Sequence, residues 1–263
     1  MQTFEQKLRL YKLLVSIGFK EIEVAYPCAN QSEFDFVRYL VETPSLIPDD
    51  VLIQVVSPCR EDAILRTVDS IRGAKQAIIF TYLPSSDNYR ETVLNISEEE
   101  WIERARRGTV YTRSLTKDDP STQGTCWTYN FGFEDFANAR VDAIIRCTEA
   151  VKAAWGPTKD HKMIIGVASS IEVSAPNVFA DQVEYLSRSI SERDTIRLTV
   201  HTHNDRGGAI ASAEVRVVGS FRCLSLFSRD ILPSDKIARS GVLYSVYLSS
   251  RYANRKMLTS RLL

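Results

Sequence analysis

The sequence has 263 residues, 44% of them hydrophobic, enough to enclose the core of one large α/β domain. Its 33 basic residues balance 33 acidic ones, so neither nucleic acid nor an anionic membrane surface gains support from net charge. The five cysteines, Cys28, Cys59, Cys126, Cys147 and Cys223, are scattered and form no Cys-x-x-Cys pair, which argues against a disulfide scaffold or a zinc ribbon and fits a reducing compartment.

No apolar run is long enough to predict a membrane span. The N-terminal stretch carries Glu5 and lacks an apolar signal core, so an intracellular protein, cytoplasmic or mitochondrial, is expected. Phe4, Leu8, Tyr11 and Val15 recur at helical spacing, and Gly18 suits the end of that helix. Strands are then predicted at Glu21–Tyr26, Val51–Ser57, Ala77–Tyr82, Cys126–Phe131, Met163–Ala168 and Ile196–Val200, with a further candidate at Phe221–Phe227. Amphipathic stretches such as Phe34–Leu40 and Glu61–Ile71 lie between them. Ser97 followed by Glu100 opens another helix as a capping box, and Pro176 fits a helical first turn. The alternation predicts βα units on a parallel sheet. It does not separate a barrel from a doubly wound sheet, although no Gly-x-Gly-x-x-Gly follows a strand.

The sixth strand runs into His201, Thr202, His203, Asn204, Asp205, Arg206 and Gly207. Residues two apart on a strand point the same way with Cα atoms roughly 6.5–7 Å apart, so His201 and His203 can converge on one divalent cation. A helical site would space its histidines four apart. The alternative is a pair of surface histidines at a strand end. His161, the third histidine, sits between Asp160 and Lys162 and reads as a solvated loop residue.

The pattern Leu198-x-x-His201-x-His203-Asn204-Asp205-x-Gly207-x-Ala209-x-Ala211 resembles a signature of the α-isopropylmalate synthase and homocitrate synthase family, and the chain is most similar to 2-isopropylmalate synthases of fungal type. Further matching stretches run from Gly18 to Val24, Phe34 to Leu40, Ser57 to Asp62, Arg113 to Pro120, Glu149 to Trp155 and Ala175 to Gln182. The resemblance implies a TIM (β/α)8-type barrel with its chemistry at the C-terminal strand ends. It implies condensation of acetyl-CoA with an α-keto acid, 3-methyl-2-oxobutanoate in the leucine-type reaction, assisted by a divalent cation (Zn, Mg, Mn or Co). On the same footing His201 and His203 are the metal ligands, Asp205 orients a ligand or loop behind them, and Glu134 is the catalytic carboxylate. Ser170 and Tyr82 line the keto-acid pocket. Partners would be the two substrates and a second subunit, as a homodimer or with a full-length synthase.

Departures from the family pattern shape the remaining expectations. Phe80 stands at a histidine position, Gly132 at a serine position and Ala168 at a proline position, which predicts a roomier, less polar pocket. Such a pocket would suit elongation of a larger α-keto acid for a secondary metabolite such as a fungal toxin; relaxed selection is the other explanation. The family's first strand, with its aspartate and arginine, has no counterpart, and the eighth strand and the tail diverge. From Phe221 onward there is no Glu and basic residues outnumber Asp, as in an altered reading frame or a diverged tail. The expected organisation is therefore a partial, incomplete catalytic barrel over 1–220 and a diverged tail over 221–263, with no regulatory domain. A catalytically inactive barrel serving as partner subunit of an intact synthase is the rival reading.

Overall fold

The computed structural model describes residues 3–218 and two short strands at 225–227 and 245–247. Helix α1 (Phe4–Ile17) opens with Thr3 and Gln6 in a reciprocal capping box and ends at Gly18, whose φ of 104° needs a residue without a Cβ. Six strands follow, β1 (Glu21–Ala25), β2 (Leu52–Pro58), β3 (Gln76–Pro84), β4 (Cys126–Glu134), β5 (Met163–Ser169) and β6 (Ile196–Thr202). Helices α2 (Gln31–Glu42), α3 (Glu61–Ile71), α4 (Glu98–Leu115), α5 (Val141–Trp155) and α6 (Pro176–Ser189) connect them in turn, and α7 (Ala209–Val218) follows β6.

All five strand pairings from β1 to β6 are parallel and run in chain order without reversal. A doubly wound sheet would reverse at a switch point, so the order decides for a curled barrel wall. Packing agrees. Ile22, Val24, Ile53, Val55, Ala77 and Ile79 join one buried cluster with α1, α2 and α3, while Tyr129, Phe131, Phe133, Ile165, Val167, Leu198 and Val200 join another with α4, α5 and α6. The residues between them face the opposite way, into the barrel interior. Ile78 and Ile164, with Leu52 packed against them, form an apolar layer there. Above it lies a polar layer, in which Gln54 donates to Glu23 (2.6 Å) and Asn130 donates to Gln54 (3.1 Å).

Strand β1 also pairs antiparallel, at Ile22 with Val246, to β8 (Ser245–Tyr247), which in turn pairs antiparallel to β7 (Ser225–Phe227). Of the predicted strand at Phe221–Phe227, residues 225–227 are strand and pair antiparallel rather than parallel; residues 221–224 lie outside the described residues. The capping box at Ser97 and Pro176 in the first turn of α6 are as predicted. Cys28, Cys59, Cys126 and Cys147 are free thiols. No helix among the described residues is long and apolar enough to cross a membrane.

Candidate active site at the strand ends

The C-terminal ends of the strands surround a cavity of about 360 Å³. In-register pairing places the predicted residues around one rim. Pro84 pairs with Glu134, Tyr82 with Gly132, and Ala168 with His201, so Tyr82, Glu134, Ser170, His201 and His203 all line the same cavity.

His201 is within β6 and His203 follows its last residue, with ring centroids 4.5 Å apart and planes tilted by 34°. Enclosure of the ring, and secondarily the neighbouring His203, hold His201 well below the usual imidazole range. It is therefore neutral at physiological pH, the form that ligates metals. The His203 amide donates to the Ser169 carbonyl (3.3 Å), which extends the β5–β6 pairing by one residue.

Glu134 is half-buried at the end of β4. Its carbonyl accepts from both the amide (2.9 Å) and the hydroxyl (2.6 Å) of Ser85, which fixes the backbone from which the carboxylate projects. Burial, followed by repulsion from Asp135, raises the Glu134 pKa above the usual carboxylate value. Asp135 itself has φ 59°, in the left-handed region, and its amide donates to the Ser170 hydroxyl (2.8 Å). Ser170 thus ties the β4 rim to the β5 rim. Tyr82 exchanges a hydrogen bond with Tyr26 (3.1 Å), and burial is the main cause raising the pKa of both phenols.

Asp205 is not part of the cavity lining, and its carboxylate accepts from the Glu172 amide at 2.9 Å. His161 is exposed, and its amide donates to the Thr158 hydroxyl (3.0 Å).

The HMGL-like family profile matches residues 1–225. The chain belongs to the HMGL-like family. Among its relatives, isopropyl malate synthase AMT7 of Alternaria alternata is 76% identical over 215 residues, covering 81% of this chain and 37% of that protein. Isopropyl malate synthase gloH of Glarea lozoyensis is 61% identical over 81% of this chain and 34% of its own length. The 2-isopropylmalate synthase of Saccharomyces cerevisiae is 47% identical over 80% of this chain and 34% of its own length. The chain therefore spans little more than a third of each of these curated relatives.

One expectation about this HMGL-like site changes in detail. Gly132 does not open free space. A Cβ there would lie 2.3 Å from Cε2 and 2.7 Å from Cζ of Phe80, so the phenyl ring already fills the volume a side chain at 132 would take. The two positions are sterically coupled. Gly132→Ser should cost about 1–3 kcal/mol through overpacking, and most of that cost should vanish in the Phe80→Ala background. Thermal melts of both single variants and the double variant check this; simple additivity would show that Phe80 yields without strain.

The strand-by-strand reading overlooked several wall residues. Tyr26, Tyr89, Val56, Asn130 and Thr199 also line the cavity. For Asn130 and Thr199 a signal existed, since each is two residues before a predicted rim residue on the same strand face. Tyr89 opens a π-helical turn (Tyr89–Leu94) that no pattern in the sequence announces.

Proposed function

We propose that the chain is the catalytic barrel portion of an isopropylmalate synthase-type acyltransferase, condensing acetyl-CoA with an α-keto acid and releasing CoA. The observation that carries this reading is the convergence of the His201 and His203 pair with Glu134 and Ser170 around one apolar cavity. Family membership and the names of the relatives support it.

The donor set suits a divalent cation. Two imidazoles 4.5 Å apart at their centroids supply two nitrogen ligands, with carboxylate and hydroxyl oxygens on the facing rim. Among the described residues no group of three or more His, Cys, Asp and Glu is placed to hold an ion by itself. The remaining positions on such an ion would go to water, to substrate oxygens or to groups outside the described residues. When bound, the cation would polarise the keto-acid carbonyl. The Ser170 hydroxyl would bind a substrate oxygen, and the raised pKa of Glu134 suits it to move a proton at the acetyl methyl.

The acceptor in the leucine-type reaction is 3-methyl-2-oxobutanoate. A second reading, an α-keto acid with a larger apolar side chain, is favoured by the wall of Phe80, Tyr82, Tyr26, Tyr89 and Ile171, which offers aromatic and aliphatic contact. Thiol release from acetyl-CoA with branched and aryl keto acids separates the two by their kcat/KM ratio. Absence of release with every acceptor, under saturating metal, would favour a non-catalytic subunit paired with a full-length synthase.

For the metal itself, His203→Ala should remove most of the cation bound by the wild type, because one nitrogen ligand cannot hold it at this rim. Elemental analysis of both purified proteins provides the check. Equal metal content would defeat the assignment of the pair.

A further inference from the structure

We propose that Glu172 is a positioning residue that sets the loop bearing His203 and thereby the bite of the histidine pair; the proposal rests on the metal reading above. Glu172 follows β5, is 6% exposed and is absent from the cavity wall, so it acts through other groups. Its backbone and side chain both engage the loop after β6. The Glu172 amide donates to the Asp205 carboxylate (2.9 Å), and the Glu172 carboxylate accepts from the Arg206 amide (2.5 Å). The Arg206 guanidinium returns to the carbonyls of Glu172 (3.4 Å) and Val173 (3.3 Å). Two carboxylates thus clasp two loops reciprocally, each satisfying a backbone donor of the other.

The clasp needs a gap in the chain. A Cβ on Gly208 would lie 2.1 Å from Oε1 of Glu172, so only glycine leaves room for the carboxylate. Beyond it, the Asn204 side chain accepts from the Ala209 amide (3.2 Å) at the start of α7, and Thr202 donates to the Ala209 carbonyl (3.2 Å). On the near side His203 is tied to Ser169. The loop carrying His203 is therefore held at three places, by β5, by α7 and between them by Glu172. Truncating Glu172 removes the side-chain half of the central one and leaves the Arg206 amide without its carboxylate acceptor, while the bonds made by the Glu172 backbone remain.

The test uses the full 263-residue chain with Co(II) as probe, read by its absorption spectrum and its affinity, together with amide hydrogen exchange of residues 201–208. Glu172→Ala should weaken Co(II) binding by about 10–100-fold, the usual effect of losing an outer support of a metal ligand. Gly208→Ala should reproduce that loss by displacing the carboxylate. Glu172→Gln keeps one acceptor for the Arg206 amide and should restore affinity to within a few fold. Exchange across 201–208 should quicken in the first two variants and not in the third. A purely structural glutamate would lower Tm while leaving Co(II) affinity and spectrum unchanged, and that result overturns the proposal. Should Glu172→Ala fail to fold, Gly208→Ala with wild-type affinity and exchange would overturn it equally. If the wild type takes up no Co(II), the metal reading fails, and the exchange comparison still decides the clasp: faster exchange supports it, unchanged exchange refutes it.

Discussion

Glu134→Gln is expected to lower kcat for thiol release from acetyl-CoA by about 10²–10⁴-fold, with little change in KM, the range for removing a positioned acid or base. The substitution is isosteric and keeps the backbone anchor, because Ser85 binds the Glu134 carbonyl and not its carboxylate. What it deletes is the titrating group. That group lies on the rim shared with Ser170 and the histidine pair, and burial with Asp135 moves its pKa upward, towards the range in which a carboxylate takes and returns protons near neutrality. If Glu134 only held substrate, the glutamine would bind less well and turn over normally. Steady-state kinetics of the two proteins separates the cases, and an unchanged kcat with a raised KM would remove Glu134 from the chemistry.

The barrel wall was legible because its outward residues are apolar, many of them β-branched or aromatic, while its helices carry caps that the sequence announces, such as Ser97 with Glu100. Strand ends were less legible. Strands predicted to stop at Tyr82, Phe131, Ala168 and Val200 continue to Pro84, Glu134, Ser169 and Thr202. Gly132, Glu134, Ser169, His201 and Thr202 are polar or small, so they interrupt the apolar pattern by which a strand is recognised just where the chemistry sits. The barrel interior was hidden for a related reason. Glu23 between Ile22 and Val24 alternates as a half-solvated strand would, and only the curled wall turns that polar face inward. Steric coupling between Phe80 and Gly132, and the clasp by Glu172, depend on residues tens of positions apart. No local pattern encodes them.

Glu23 supports the second large expected effect. It is 1% exposed in the interior polar layer, accepts one hydrogen bond from Gln54, and its other oxygen has no hydrogen-bond partner among the described residues. Burial dominates over that single hydrogen bond and pushes its pKa up from 4.5 to about 8. The sign follows from proton binding. Between these values the folded chain keeps the proton and the unfolded chain releases it, so this group's favourable contribution is complete below about pH 4.5 and is lost as pH rises towards 8. The full displacement corresponds to on the order of 5 kcal/mol. Glu23→Gln, whose side chain stays neutral and can still accept from Gln54, should therefore gain stability over the wild type progressively from pH 4.5 to 8. His201 works in the opposite sense: its depressed pKa makes stability fall as pH drops below about 6.5. Because that contribution is common to both proteins, it cancels in the difference between them. Thermal or urea unfolding of the pair at a series of pH values measures that difference. A gap that stays constant across the range would mean that Glu23 ionises in the folded barrel as freely as in the unfolded chain, with a compensating cation beside it.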